Sequence, residues 1–405
     1  MFNIFEEILW PQFIKLEGIN KLPINEQVSQ YNQYLYNLSI SRQNWIDTQN
    51  KGAILTTPTP LLGDFLIDTS MVVEGVTTND NQFQLPLVGV GVTNFTIDWG
   101  DGTTDIITDA AQPETLHTYA TPGEYYINIT SGILRGWRFG GIGDAVKLKE
   151  IYDWSKWEIN TVEAFDGCSN LVSSAITIPT ISAISLASTF RGCSLFNGSV
   201  NGWDVSGVTD MNNMFSGASS FNQPLNSWDV SGVTDMSYMF DSATSFNQPL
   251  DSWNVSSVTT MQSMFFAAQA FNQPLNSWNV GNVTNMQQMF NIALSFNQPL
   301  DNWDVSSVTT MQGMFFGDLM TFNQNIGGWD VSNVTNLIDF LDNALPTSFS
   351  PANLNAIYNG WSLLTVQPNV TAEFGVAKYT AAGAAGRAIL DNAPNNWTIT
   401  DGGQV

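Results

Sequence analysis

Cations are what this sequence lacks most. Twelve Lys and Arg stand against 36 Asp and Glu, for a formal net charge of -24. No Lys or Arg occurs between Arg191 and Lys378. Nucleic-acid binders displace counterions from phosphates with clustered cations, so that class is excluded for this stretch. Anionic membrane surfaces are disfavoured for the same reason. Neutral polymers, cations and other proteins remain as partners. Cysteine is nearly absent too: Cys168 and Cys193 are the only two, which rules out a disulfide framework and zinc-ligand spacing. The single histidine, His117, cannot build a metal cluster or a catalytic triad alone. No run approaches the ~18 apolar residues of a membrane span. The opening MFNIFEEILWPQFIKLEG has no basic start, no continuous apolar stretch and no small-residue cleavage site, so it does not read as a secretory signal.

What is present is a large core and a repeat. A chain of 405 residues exceeds one ordinary core, so two or three structural units are expected. Hydrophobic residues at 43% and aromatics at 12% argue against global disorder. Self-similarity dominates the second half. FNQPLNSWDVSGVTDMSYMF begins at Phe221 and returns, slightly altered, at Phe246, Phe271 and Phe296. A half-unit precedes these, and FNQNIGGWDVSNVTNLIDF follows them. Trp203, Trp228, Trp253, Trp278, Trp303 and Trp329 recur every 25 residues with one step of 26, and Phe215 to Phe340 keep the 25 step. Phe165 and Phe190 mark two degenerate turns before them.

One such unit cannot bury its apolar side alone, so the turns are expected to stack as a solenoid. In Leu225 to Val230 the final pair alternates in and out, as a short strand requires. Pairing that strand with its copy in each neighbouring turn predicts a parallel sheet about 40 Å long. Val233, Met236, Met239 and Phe240 step by about three, which suits a tighter or irregular return path.

The repeat resembles the leucine-rich repeats of BspA-like surface proteins, which share its FNQ, W-[DN]-V-S, VT and MF positions. The resemblance covers six turns. It implies a bacterial surface or adhesion role and no catalysis.

Residues 64–135 read as a small β-sandwich, with alternating runs between turn signals, as in NFTIDWGDGTTDIIT and HTYATPGEYYINIT. Trp99-Gly100-Asp101-Gly102 and His117-Thr118-Tyr119 resemble an immunoglobulin-like domain of PKD type. The resemblance implies a hairpin at WGDG, an HTY strand leading into the last strand, and a spacer role. Residues 136–345 would form the solenoid and 346–405 its cap, with helical spacing at Leu354, Ile357 and Tyr358 and around Ala384, Ala388 and Ile389. Residues 1–55 suggest a helical docking arm, capped by Asn25 and carrying Val28, Tyr31, Leu35 and Leu38 on one face. Residues 56–63 read as a stiff linker. The expected class is therefore mixed and mainly β: helical arm, PKD-type sandwich, leucine-rich-repeat solenoid and C-terminal cap.

Candidate chemistry lies in columns. Ten methionines at matched positions, Met211 to Met314, could be thioether ligands, but core filling is the stronger reading. The tryptophans share the phase of Val230 and should point inward rather than stack on sugars. The residues after them should point outward: Asp204, Asp229, Asn254, Asn279, Asp304 and Asp330. That column is either a solvated surface or a polar face for hydroxyls or Ca²⁺; no other cofactor is called for. The Asn222 column reads as a hydrogen-bonding ladder. Cys168 and Cys193 occupy equivalent places in adjacent turns, which leaves a disulfide open, with two buried thiols as the preferred reading. Acids that repeat with the scaffold do not form one asymmetric catalytic constellation, so no enzyme is expected.

Two functions fit. Because no export signal is read at the start, the expectation is a bacteriophage virion protein decorating head or tail. Its arm would dock on a capsid or tail protein, and its solenoid would reach a host-surface protein or glycan. The alternative is a bacterial cell-surface adhesin. Neither involves nucleic acid or membrane insertion.

Overall fold

The computed structural model describes residues 63–89, 94–317, 321–341 and 349–405. The expected docking arm, with Val28, Tyr31, Leu35 and Leu38, and nearly all of the linker lie outside the described residues.

The chain is mainly β. After β1 (Phe65–Asp68) and β2 (Gln82–Gln84) come β3 (Phe95–Asp98) and β4 (Thr104–Ile107). These two form an antiparallel hairpin whose turn is the WGDG segment. β5 (Leu116–Thr118) pairs with β2, and the long β6 (Glu124–Ser131) lies between β3 and β1. The main sheet does not end at residue 135. β7 (Leu148–Ile151) pairs antiparallel with β1, and β9 (Val172–Ser173) pairs parallel with β7, giving the order β4-β3-β6-β1-β7-β9. The switch from antiparallel to parallel pairing at β7 is where hairpin connectivity gives way to the repeat. β8 (Glu158–Ile159) and β10 (Thr180–Ile181) form a second parallel pair. One buried lysine fixes the near side of this region. Lys147 pairs with Asp144 at 3.3 Å, both fully buried, and its Nζ donates to the carbonyls of Thr78, Asn79 and Gln82. Burial pulls Lys147 below its ordinary value despite Asp144.

From Ser185 onward the turns stack by single parallel bridges: Ser185, Asp210, Asp235, Thr260, Asn285, Thr310 and Asn336, each with the next. This differs from the expected sheet through Leu225 to Val230. That segment is bent by two local turns, Trp228 N to Leu225 O at 3.1 Å and Val233 N to Val230 O at 3.0 Å. The Trp228 amide is therefore used within the turn, and Pro224, just before the segment, has none to give. The inter-turn ladder runs through the return path instead. Met236, Tyr238, Phe240 and Ser242 donate to Thr260, Gln262, Met264 and Phe266 of the next turn, at 2.7–3.2 Å. The intervening bonds Met239 to Met236, Asp241 to Tyr238 and Ala243 to Phe240 make three overlapping β-turns. Such a path needs left-handed residues, and each turn has two positions for them, as at Tyr238 (φ 58) and Ser242 (φ 57).

Stacking supplies the core. All ten repeat methionines are fully buried, and the six tryptophans are 1–4% exposed. Phe215, Phe240, Phe265, Phe290 and Phe315 stack face to face at 5.6–5.8 Å. Phe340 breaks this column. It keeps the 25-residue step in number, but the turn from Phe296 to Thr321 holds 26 residues. Phe340 therefore lands where Met314 stands, and meets Phe315 edge-on at 80°. Its carbonyl accepts from Phe315 N as the Met314 carbonyl accepts from Phe290 N.

The stack runs on into α1 (Pro351–Trp361), β11 (Thr371–Glu373), α2 (Ala384–Asp391) and β12 (Thr398–Thr400). Ser350 caps α1, accepting from Asn353 N, and Pro351 begins it. Leu337 bridges to Ala372, and β11 pairs parallel with β12. Where the four turns before it carry Asn-Ser, Asp-Ser or Asp-Asn, the last carries Gly327-Gly328. A methyl group on Gly327 would overlap the Ala356 carbonyl, so glycine is what lets α1 lie against this turn. One hydrophobic cluster extends from Phe65 to Trp397, and all described residues belong to one unit, Leu62–Val405.

Candidate functional site

The outer column is exposed along its length: Asp204, Asp229, Asn254, Asn279, Asp304 and Asp330 all face solvent on successive turns. Each also closes a local turn, accepting from the amide two residues on, at 3.0–3.2 Å. The hydrogen bonds of Ser206, Ser231 and Ser306 hold Asp204, Asp229 and Asp304 below the ordinary carboxylate range. One lone pair of each side chain is therefore spent on the scaffold, and the column offers only one carboxyl or amide per turn. Among the described residues no three His, Cys, Asp or Glu side chains gather as metal ligands.

The inner columns are scaffold. Each Trp Nε1 from Trp228 to Trp329 donates to a carbonyl of the preceding turn at 2.9–3.0 Å, from Val200 to Leu300. A buried donor with no such partner would cost about 1–3 kcal/mol, so these bonds also set the register of stacking. Trp203, which follows a degenerate turn, has no acceptor for its Nε1. Asn222, Asn247, Asn272, Asn297 and Asn323 form the expected ladder, each Oδ1 accepting from the next turn's backbone at 2.9–3.0 Å. Cys168 and Cys193 are free and buried, and burial pushes both thiols up. His117 lies in the hairpin region, stacked on Trp99 at 4.5 Å with its Nε2 2.9 Å from Asp101. Burial raises Asp101, but the bonds from Thr103 and His117 outweigh it and bring its carboxyl below its ordinary value.

The return segment, read from sequence only as a connecting path, carries the most varied side chains. Tyr238, Ser263, Gln288 and Gly313 share one position in four turns; Asp241, Phe266, Asn291 and Phe316 share another; Ser242, Ala267, Ile292 and Gly317 a third. Tyr238, Phe266 and Phe316 are half-buried. Gln262 Nε2 donates to Tyr238 Oη at 2.6 Å, and Asn285 Nδ2 to Gln262 Oε1 at 3.2 Å. Comparing the turns with one another, rather than seeking their common pattern, would have exposed this segment from sequence.

Two stretches of the chain, residues 159–276 and 250–355, match the family described as Mycoplasma protein of unknown function, DUF285. The match covers the stacked turns and supports a repeat protein of the BspA-like surface type. No curated protein and no solved structure matches the chain.

Proposed function

We propose that this chain is a non-enzymatic surface repeat protein of adhesin type, in which the stacked turns form a rigid display solenoid for contact with a partner surface. The observation that carries this reading is the ladder of similar turns sharing one core, a construction that yields a long regular face. The DUF285 match supports the surface assignment. Residues 64–135 would serve as a PKD-type spacer, a role resting on the WGDG hairpin and the strand order around β6. Among the described residues, no helix is long and apolar enough to cross a membrane.

The bacteriophage placement gains nothing from the fold or the match, so the bacterial surface is the placement carried forward. Fractionation of source cells and of purified phage particles, with peptide mass spectrometry of each, separates the two. Recovery on the bacterial envelope supports the adhesin reading. Recovery only with virions replaces it by head or tail decoration, and recovery in neither overturns both.

A further inference from the structure

We propose that the return segments of the middle turns form a binding face for a neutral, extended polysaccharide, centred on Tyr238, Gln262, Phe266, Gln288 and Phe316. This rests on the contact reading above and assigns it a face and a ligand chemistry different from the outer acidic column.

Variation inside the repeat locates the face. Across the four turns from Phe221, most differences outside the return path exchange like for like: Asp with Asn, or Ser with Asn and Gly. In the return path they do not, as Tyr, Ser, Gln and Gly replace one another, and so do Asp, Phe, Asn and Phe. Two of these positions hold left-handed backbone, with φ 58 at Tyr238, 56 at Gln288 and 57 at Ile292. Side chains other than glycine cost about 1–2 kcal/mol there. Large side chains kept against that cost are placed for what they present.

Their chemistry selects the ligand. Phe266 and Phe316 stand two turns apart, which at the ladder spacing is about 10 Å, the step of one disaccharide along an extended chain. Flat apolar rings at that interval suit the C–H faces of alternate sugars, while the amides of Gln262 and Gln288 suit their hydroxyls. Asp241 is the only carboxylate in the columns of Tyr238, Asp241 and Ser242, and no cation lies between Arg191 and Lys378, so an anionic polymer has no counter-charge. Arginine, a leading residue of protein hot spots, is absent from the face. Asn291, in the same column as Phe266 and Phe316, is only 4% exposed, so the half-buried Gln262 and Gln288 carry the hydroxyl contacts.

The test titrates the full chain with β-1,4-linked hexasaccharides of glucose, mannose and N-acetylglucosamine by calorimetry. At least one is expected to bind. The Phe266→Ser/Phe316→Ser chain should bind it about tenfold or more weakly. Phe266→Leu, which keeps apolar bulk and removes the flat ring, should weaken it with an unchanged melting temperature. Asp229→Asn/Asp304→Asn should bind as the parent does. Absence of binding to all three sugars overturns the proposal, as does loss in the outer-column variant with none in the phenylalanine variants. Envelope localisation and cell binding without sugar binding would leave the display reading standing and sink this one. Sugar binding by a chain never found at a surface would do the reverse.

Discussion

Ile292 holds φ 57, a backbone region that a β-branched side chain enters only under strain. Its counterparts at residues 167, 192, 217 and 317 are glycine, and asparagine tolerates the same conformation at lower cost. Ile292→Asn should therefore raise stability by about 1 kcal/mol, read as a shift in urea midpoint with an unchanged slope. Asp241 offers a pH-dependent counterpart. Burial raises its carboxyl above the ordinary value, and the Ser242 hydroxyl offsets this only in part. A raised acid adds stability below its unfolded value, and that contribution is lost as pH rises through the folded value. Asp241→Asn should accordingly match the parent near pH 3.5 and exceed it at pH 7. The gain is expected to be a fraction of a kcal/mol, because the half-exposed group is screened. Equal pH profiles for the two chains would contradict this. The inward tryptophans, the core methionines, the asparagine ladder and the buried thiols were all legible in the sequence, because period and polarity fix them. The left-handed positions were not, since Tyr238, Ser263 and Ile292 carry none of the glycine signal by which such backbone is recognised.

At the scale of one turn, the indole bond is the joint between neighbours. Trp253→Phe removes the indole donor from the Leu225 carbonyl, which keeps only Trp228 N, and should cost about 0.5–1.5 kcal/mol in chemical denaturation. Trp203→Phe, which removes a donor with no acceptor, should cost less. An equal loss at both sites would show that indole volume, not the bond, holds the turns in register. At the cap, Gly327→Ala would drive a methyl group into the Ala356 carbonyl. It should loosen α1 from the last turn, seen as faster amide exchange in Leu354 to Tyr358 with the middle turns unchanged. The helices of the cap were readable from apolar spacing, and the hairpin was implied by the resemblance carried by WGDG. The strand expected at Leu225 to Val230 was not formed, although its alternation of buried Trp228, exposed Asp229 and buried Val230 is present. Alternation reports which way side chains face, and two tight turns can supply it as well as a strand can. The ladder residue, Asp235, lies in the VTD stretch that sequence periodicity did not mark.

Over the whole molecule, the strand pairing that crosses residue 135 and the core from Phe65 to Trp397 make the first sheet a foundation for the stack. Each added turn finds its partner already in place, so stability grows turn by turn. The net charge of -24 keeps such a surface soluble and turns away anionic partners. If the stacked turns carry the contact, shortening the stack must weaken it, and deleting residues 246–295, two whole turns, joins Ser245 to Phe296 in register. Cooperative unfolding is first confirmed, and binding of parent and shortened chains to intact cells of candidate partner surfaces is then measured side by side. The expected result is a folded shortened chain that binds about tenfold or more weakly, since Gln262, Phe266 and Gln288 are gone while the foundation and cap remain. A folded shortened chain that binds as the parent does would contradict it.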